Sequence, residues 1–569
     1  MSKHPLLCAA LLILAAYFLL AGSSTVWGTD EPRFAGAAVN MVRSGNYLYA
    51  TFNGESRAHK PILIYWLMAL PVHLLGPTAF ACRFWSPIGT ALACLLTGLI
   101  GRRLFDERTG LMAMVCLALS PLMIQCGALA TVDAVLLAVI TGAMLTFVVA
   151  LERGPSLGHY ALLLVLTAAA LLLKGPAGLL VPVFIIPPVW WMARGRTPLR
   201  PSYLLAVGVV LVLGVGVFLL WALPANRATA GVVLHQGISE HVVGRALHPM
   251  EGHGTYPLTM VPYYLLAILL TFFPWTLYLP AAISATLGGR LGAPQVRPLL
   301  IGWTIPVLGL LTVVATKLPH YALPVWPALA LAVAATCRAA TRGDLAPRDE
   351  LWLRRGVWFM APVGVLLAGG VAVVPWLWPT VALRLPAALT GAALLGTAIA
   401  AVYLQRRGEI ARSCWAAAAG MALFMAVAGG LLAPCLEQYK VGPALARVLT
   451  NQTLPPGTRM AAVGYRRSEL VFSLDRGDIE MLRKPAVEAW ARDPRPGLLF
   501  ISERLLRDLD PRIGLRGMKV RATVQGLDFE EAAWTTVLAL ERPGRLPSGA
   551  PPPLDHPSPP DPGAPPPPP

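Results

Sequence analysis

The sequence is short of charge. Asp, Glu, Lys and Arg make up 13% of its 569 residues, and only 29 of them are acidic. A soluble globular domain carries about 25% charged residues, so a water-facing surface over most of the chain is excluded. Cysteine is sparse: there are eight, with no CxxC or Cys/His spacing, so no standard zinc site is encoded. Cys8, Cys94, Cys116 and Cys414 lie in apolar runs and read as small core residues. Cys82, Cys126 and Cys435 fall near span ends, where a disulfide has little support. No solenoid-type repeat is visible. The net charge of +17 is spread between hydrophobic runs rather than gathered in a patch. It therefore reads as membrane-orientation charge and not as a nucleic-acid footprint.

What is abundant is apolar. Hydrophobic residues reach 56%, and mean hydropathy is +0.62. Residues 5–22 follow Lys3 as an apolar run. They read as an uncleaved first helix, the alternative being a signal peptide cut near Ala21-Gly22-Ser23. Further apolar segments lie near 84–101, 110–126, 131–150, 160–173, 176–193, 202–223, 258–284, 299–315, 320–337, 356–376, 385–404 and 413–434. The expectation is an α-helical polytopic membrane protein of thirteen spans, with 160–193 readable as one re-entrant pair. Arg102, Arg103, Arg153, Arg194, Arg338 and Arg406 then share one side with most other loop arginines. Lys174, Lys317 and Arg384 stand nearly alone on the other. This asymmetry places the N-terminus in the cytoplasm and the arginine-poor loops outside.

Three stretches do not cross. Residues 31–44 suit a short helix, 46–60 are polar and turn-rich, and 61–75 suit a helix lying in the interface. Beyond 440 the pattern changes. Met460 to Gly464, Leu498 to Ile501, Lys519 to Val524 and Thr535 to Leu540 read as strands, alternating with charged helices at 485–492 and 503–509. The predicted domains are a membrane domain over 1–435 with outer loops at 23–80 and 224–257, an extracytoplasmic α/β domain over 440–545, and a proline-rich, disordered tail over 546–569.

Polar residues gather on the predicted outer edge. Thr29-Asp30-Glu31-Pro32-Arg33 follows the first span, and His59-Lys60-Pro61 opens the interfacial helix. Asp133 starts one span, Lys174 ends another within Leu-Lys-Gly-Pro, and Lys317-Leu318-Pro319-His320-Tyr321 forms a later turn. The loop 224–257 adds four histidines and Arg245. Charges at a bilayer edge are costly without a partner or a task. Blander readings exist for each. Glu31 suits a helix N-terminus, Asp133 a helix cap, and Lys174 and Lys317 snorkelling. The four histidines fit no standard metal site and read as a polar substrate loop.

In these motifs the chain resembles the GT-C glycosyltransferases that use polyprenyl-phosphate sugars. Asp-Glu-Pro-Arg-Phe, His-Lys-Pro-Ile-Leu-Ile-Tyr-Trp, Asp133, Leu-Lys-Gly-Pro and Lys-Leu-Pro-His-Tyr-Ala-Leu-Pro occur in that family's order over residues 1–435. The pattern is similar to the protein O-mannosyltransferases and, more closely, to the lipid A aminoarabinose transferases. The resemblance implies a membrane-embedded lipid-phosphate sugar donor, inversion at the anomeric carbon, and a glycolipid or protein acceptor. It implies catalytic roles for Asp30 and Asp133. Substrate-binding roles would fall to Glu31, Arg33, His59, Lys60, Lys174, Arg245 and Tyr321. Phe34 replaces a tyrosine usual in the family. His59 replaces a glutamate linked there to a metal, so a divalent cation stays open and no metal ligand is assigned. A transporter, the competing class, would place its polar groups at the midplane of broken helices within inverted repeats.

Overall fold

In the computed structural model, residues 4–237, 244, 262–378, 380–450, 452–455, 457–531 and 533–542 are described. The chain forms two compact units. One comprises Met1–Ala446, Arg467–Gly477 and Gln525–Trp534; the other comprises Arg447–Arg466, Asp478–Val524 and Thr535–Pro569.

The first unit is a helical membrane domain. Among the described residues nine helices are long and apolar enough to cross a bilayer, and Glu107–Ala118 with Pro121–Ala128, bent by 67°, makes a tenth passage. The continuous helical stretch Leu157–Met192 has 36 residues. Straight, it would be about 54 Å long, far more than the ~30 Å hydrocarbon core requires. It does not run straight. Gly175 takes φ +53°, and a Cβ on Gly178 would lie 2.6 Å from the Leu171 nitrogen, seven residues back. The stretch is therefore a hairpin of two passages with its apex at Lys174-Gly175. Two shorter passages complete the set: Pro5–Ala21, of 17 residues, and a pair, Tyr263–Thr271 and Leu279–Leu287, interrupted after Pro274. By length and composition nine helices, or ten passages with the bent pair, qualify among the described residues, against the thirteen that the hydropathy pattern predicts.

The elements that carry the site are few. Helix α1 (Pro5–Ala21) leads into α2 (Asp30–Ser44), which has Asp30 and Glu31 in its first turn and ends at Gly45 with φ +66°. A small hairpin follows, β1 (Thr51–Phe52) paired with β2 (Glu55–Ser56), and then α3 (Leu63–Leu75), which at 13 residues is too short to span. Helix α4 (Asp133–Arg153) is 21 residues, about 30 Å, so Asp133 and Arg153 occupy its opposite ends. Its first turn packs hard on the span Ala79–Leu104: a Cβ on Gly89 would lie 2.8 Å from the Ala134 carbonyl carbon. Only glycine permits that approach. Helix α5 (Leu157–Lys174) is the rising arm of the hairpin, started by Ser156, whose hydroxyl accepts from the His159 amide. Helix α6 (Ser468–Ser473) belongs to the same unit.

The second unit is built on a five-stranded sheet in the order β4-β3-β5-β7-β6. The strands are β3 (Arg459–Val463), β4 (Glu480–Met481), β5 (Gly497–Ser502), β6 (Lys519–Asp528) and β7 (Ala533–Arg542). β3 runs parallel to β4 and β5, and β5 antiparallel to β7. Helices Ala486–Arg492 and Glu503–Ile513 cover it, with Val463, Val487, Trp490, Leu499, Ile501 and Leu540 in the core.

Candidate active site

The hairpin apex brings Lys174 to the start of α4. Its Nζ donates to Asp133 Oδ1 at 2.5 Å, with the two side chains 16% and 11% exposed. The same ammonium stands 5.3 Å from the Tyr321 ring centroid, and the Tyr321 ring packs edge-on against His320 at 4.9 Å. Asp133 lies within electrostatic reach of Lys174, His320 and Lys60. His320 lies within reach of Asp133, Lys174, Lys60 and Asp30. Asp30 itself is exposed. Four separate stretches of the chain, 30, 60, 133–174 and 320–321, therefore bring two carboxylates, two ammonium groups, an imidazole and a phenol together. His59 adjoins Lys60 and is half-buried.

Other predicted residues are placed elsewhere. Glu31 does not face the cluster. It is 1% exposed and accepts four hydrogen bonds: from Arg83 Nε at 2.7 Å and Arg83 Nη2 at 2.9 Å, and from the Ala130 and Trp27 amides at 2.6 Å. A carboxylate has about four lone-pair sites, so none remains for a substrate. Arg83 spends its remaining amino protons on the Ala21, Ser24 and Thr25 carbonyls. Arg33 turns to α6, donating from Nε to Ser468 Oγ at 2.9 Å. Arg245 lies outside the described residues. Lys317 caps a helix end, donating to the Leu311 and Thr312 carbonyls at 3.0 and 2.6 Å and to the Val314 carbonyl. It is 3% exposed, so its ammonium caps the helix end rather than snorkelling to water.

Two arginines escaped the sequence reading. Arg83 is one. Arg57, at the end of the hairpin, is the other. It is 8% exposed, donates from Nε to the Tyr65 hydroxyl at 3.0 Å, and lays its guanidinium 5.2 Å from the Phe34 ring centroid. Phe34 stacks on Tyr65 with centroids 5.8 Å apart. Burial raises the Tyr65 pKa, against the lowering effect of Arg57. Arg83 has a detectable signal, a cation at the arginine-poor edge of a span; Arg57 is hidden in a polar run.

Among the described residues no three His, Cys, Asp or Glu side chains group closely enough to hold a metal ion. The chemistry available is that of an exposed carboxylate within electrostatic reach of a cluster that holds Lys60 and the Asp133-clamped Lys174: it can orient or deprotonate a nucleophile and stabilise a departing anion.

Comparison with known proteins bears on the fold. The fold is of the GT-C type: α-helical, polytopic and membrane-embedded, with a small C-terminal α/β domain. In particular it superposes on ArnT from Cupriavidus metallidurans bound to undecaprenyl phosphate with a TM-score of 0.74 at 20% identity, covering 95% of this chain and 98% of that one. The apo oligosaccharyltransferase of Archaeoglobus fulgidus aligns at a TM-score of 0.51 and 15% identity, covering 85% of this chain and 65% of that one. Residues 59–221 match the dolichyl-phosphate-mannose-protein mannosyltransferase family. The undecaprenyl phosphate-alpha-4-amino-4-deoxy-L-arabinose arabinosyl transferase of Pectobacterium carotovorum is 28% identical over 363 residues, 63% of this chain and 62% of that protein. The Yersinia enterocolitica transferase of the same name is 27% identical over 331 residues, 57% of this chain and 58% of that protein. The match thus spans about three fifths of the length of these curated relatives.

Proposed function

We propose that the chain is an integral membrane glycosyltransferase. It moves a sugar from a polyprenyl phosphate, such as undecaprenyl phosphate, to lipid A or another envelope glycolipid, with inversion. The observation that carries this is the exposed Asp30 carboxylate within electrostatic reach of His320, which also lies within reach of Lys60 and the Asp133–Lys174 pair. Asp30 orients or deprotonates the acceptor. Lys60 and Lys174 neutralise the phosphate as it departs, and Asp133 holds Lys174 in place. His59 and Tyr321 border the sugar and phosphate. The module is residues 1–435, in the bacterial inner membrane, with the N-terminus cytoplasmic. Its site and the 440–545 domain face the periplasm. The match of residues 59–221 to protein mannosyltransferases supports a second reading, transfer to protein Ser or Thr.

The test is turnover of radiolabelled polyprenyl-phosphate sugars by purified protein in detergent, with extracted envelope lipids and proteins as acceptors. Asp30→Asn should lower transfer by about 10²- to 10⁴-fold while the variant stays folded. The labelled fraction names the acceptor class. Consumption of no donor, or an Asp30→Asn variant as active as wild type, would sink the assignment and turn attention to transport.

A further inference from the structure

Arginine is almost never fully buried unless paired. Arg57 is buried, yet it forms no ion pair: among the described residues no carboxylate oxygen lies within 4.0 Å of it. Its Nε is used by the Tyr65 hydroxyl, and its π face lies against Phe34. Neither neutralises the charge. No protein acceptor among the described residues takes a hydrogen bond from its two Nη groups, and neither group belongs to the fully enclosed polar atoms. Their donor capacity is thus not used by any described residue. Asp30 is exposed and lies within electrostatic reach of Tyr65, the residue that holds Arg57. Asp30 is thus common to two sets of groups: the Lys60, Asp133, Lys174 and His320 cluster, and the Arg57–Tyr65–Phe34 stack.

Desolvating a guanidinium without a counter-ion is unfavourable, and its planar fork suits the oxygens of a phosphate. The aromatic stack fixes the fork in advance, so little side-chain freedom is lost when an anion arrives. We infer that Arg57 is an anion-binding residue of the same site, its two Nη groups gripping a phosphate carried by the donor or by the acceptor. This rests on the glycosyltransferase reading. It adds a cation outside the two-lysine set, contributed by the β1–β2 hairpin's exit. The chemistry shared by both sources is a phosphate monoester or diester; which substrate carries it is for experiment to separate.

Two measurements on the full-length protein in detergent decide it. The first is affinity for undecaprenyl phosphate alone, which involves no transfer. The second is the KM for the acceptor found in the transfer assay. Arg57→Gln should weaken one of them by about 10- to 100-fold, since hydrogen bonds to charged groups are the strong ones. Loss of undecaprenyl phosphate affinity assigns the donor phosphate. An unchanged affinity with a raised acceptor KM assigns an acceptor anion. Arg57→Lys should recover part of the loss. Tyr65→Phe, which removes the Nε partner but keeps the guanidinium, should cost less than Arg57→Gln and controls for packing damage. If Arg57→Gln alters neither quantity more than twofold, or if Tyr65→Phe reproduces its whole effect, the inference is overturned and Arg57 is a packing residue. If wild type binds undecaprenyl phosphate but transfers no sugar, the enzyme reading fails while the phosphate test of Arg57 still stands.

Discussion

Two carboxylate–cation pairs at the same edge of the membrane domain differ in everything except charge. Glu31 and Arg83 are each 1% exposed and make a closed network, with every carboxylate lone pair taken and the guanidinium tied to three backbone carbonyls. Asp133 and Lys174 are 11% and 16% exposed and share one hydrogen bond, with Tyr321 and His320 beside them. The first pair joins the start of α2, the loop at 21–25 and the chain before α4, so it fixes the ground from which Asp30 projects. The second keeps unused donor and acceptor capacity pointed at a neighbourhood of other charges. Saturation marks a charge that holds the fold. Incomplete saturation marks one placed to meet something else.

Breaking the closed pair should give the largest effect. Glu31→Gln leaves Arg83 buried without its counter-ion and should destabilise the domain by about 3–5 kcal/mol. Thermal unfolding in detergent reads this, and a loss under 1 kcal/mol would erase the contrast with Asp133. Next comes the open pair. Asp133→Asn should lower sugar transfer by about 10²- to 10³-fold with a smaller loss of stability than Glu31→Gln. Lys174→Ala should behave alike, and the double variant should be no worse than the poorer single one, because the two act as a unit. Normal transfer by Asp133→Asn would reduce that pair to structure.

The contrast was only half legible in the sequence. Asp30, Lys60, Asp133 and Lys174 stand out because a charge beside an apolar run is costly, and hydropathy alone brings their helix ends to one edge. The Gly175 reversal was readable from Lys-Gly-Pro between two apolar segments. So were the main strands of the second unit, from alternation and turn residues; β4, of two residues, left no pattern. What the sequence hid were partners. Glu31 looks as available as Asp30, its neighbour, until Arg83, 52 residues later, is seen to fill it. Arg33 points away from the cluster toward Ser468, 435 residues on, a pairing no local spacing encodes.

A third pair sharpens the comparison, with a smaller effect. Lys440 is 1% exposed. Its Nζ donates to Glu437 at 3.0 Å and to the Thr25 and Val26 carbonyls at 3.1 and 2.9 Å, and lies 3.6 Å from the Trp27 ring centroid. Glu469, on α6, is 7% exposed, and its Oε1 has no hydrogen-bond partner among the described residues. Burial pushes the Glu469 carboxyl up to about 7, more than the nearby Lys440 can offset, and burial also lowers Lys440. Here the folded state binds the proton more tightly than the unfolded chain. The stability that Glu469 contributes is therefore complete below its ordinary value of 4.5 and is lost as pH rises toward 7. Unfolding midpoints measured from pH 5 to pH 8 should fall for wild type across this window and fall less for Glu469→Gln. Glu31→Gln, whose partner network is saturated, should keep the wild-type slope at a lower midpoint. If Glu469→Gln keeps the full wild-type slope, the proton is taken up elsewhere and Glu469 belongs with the saturated charges.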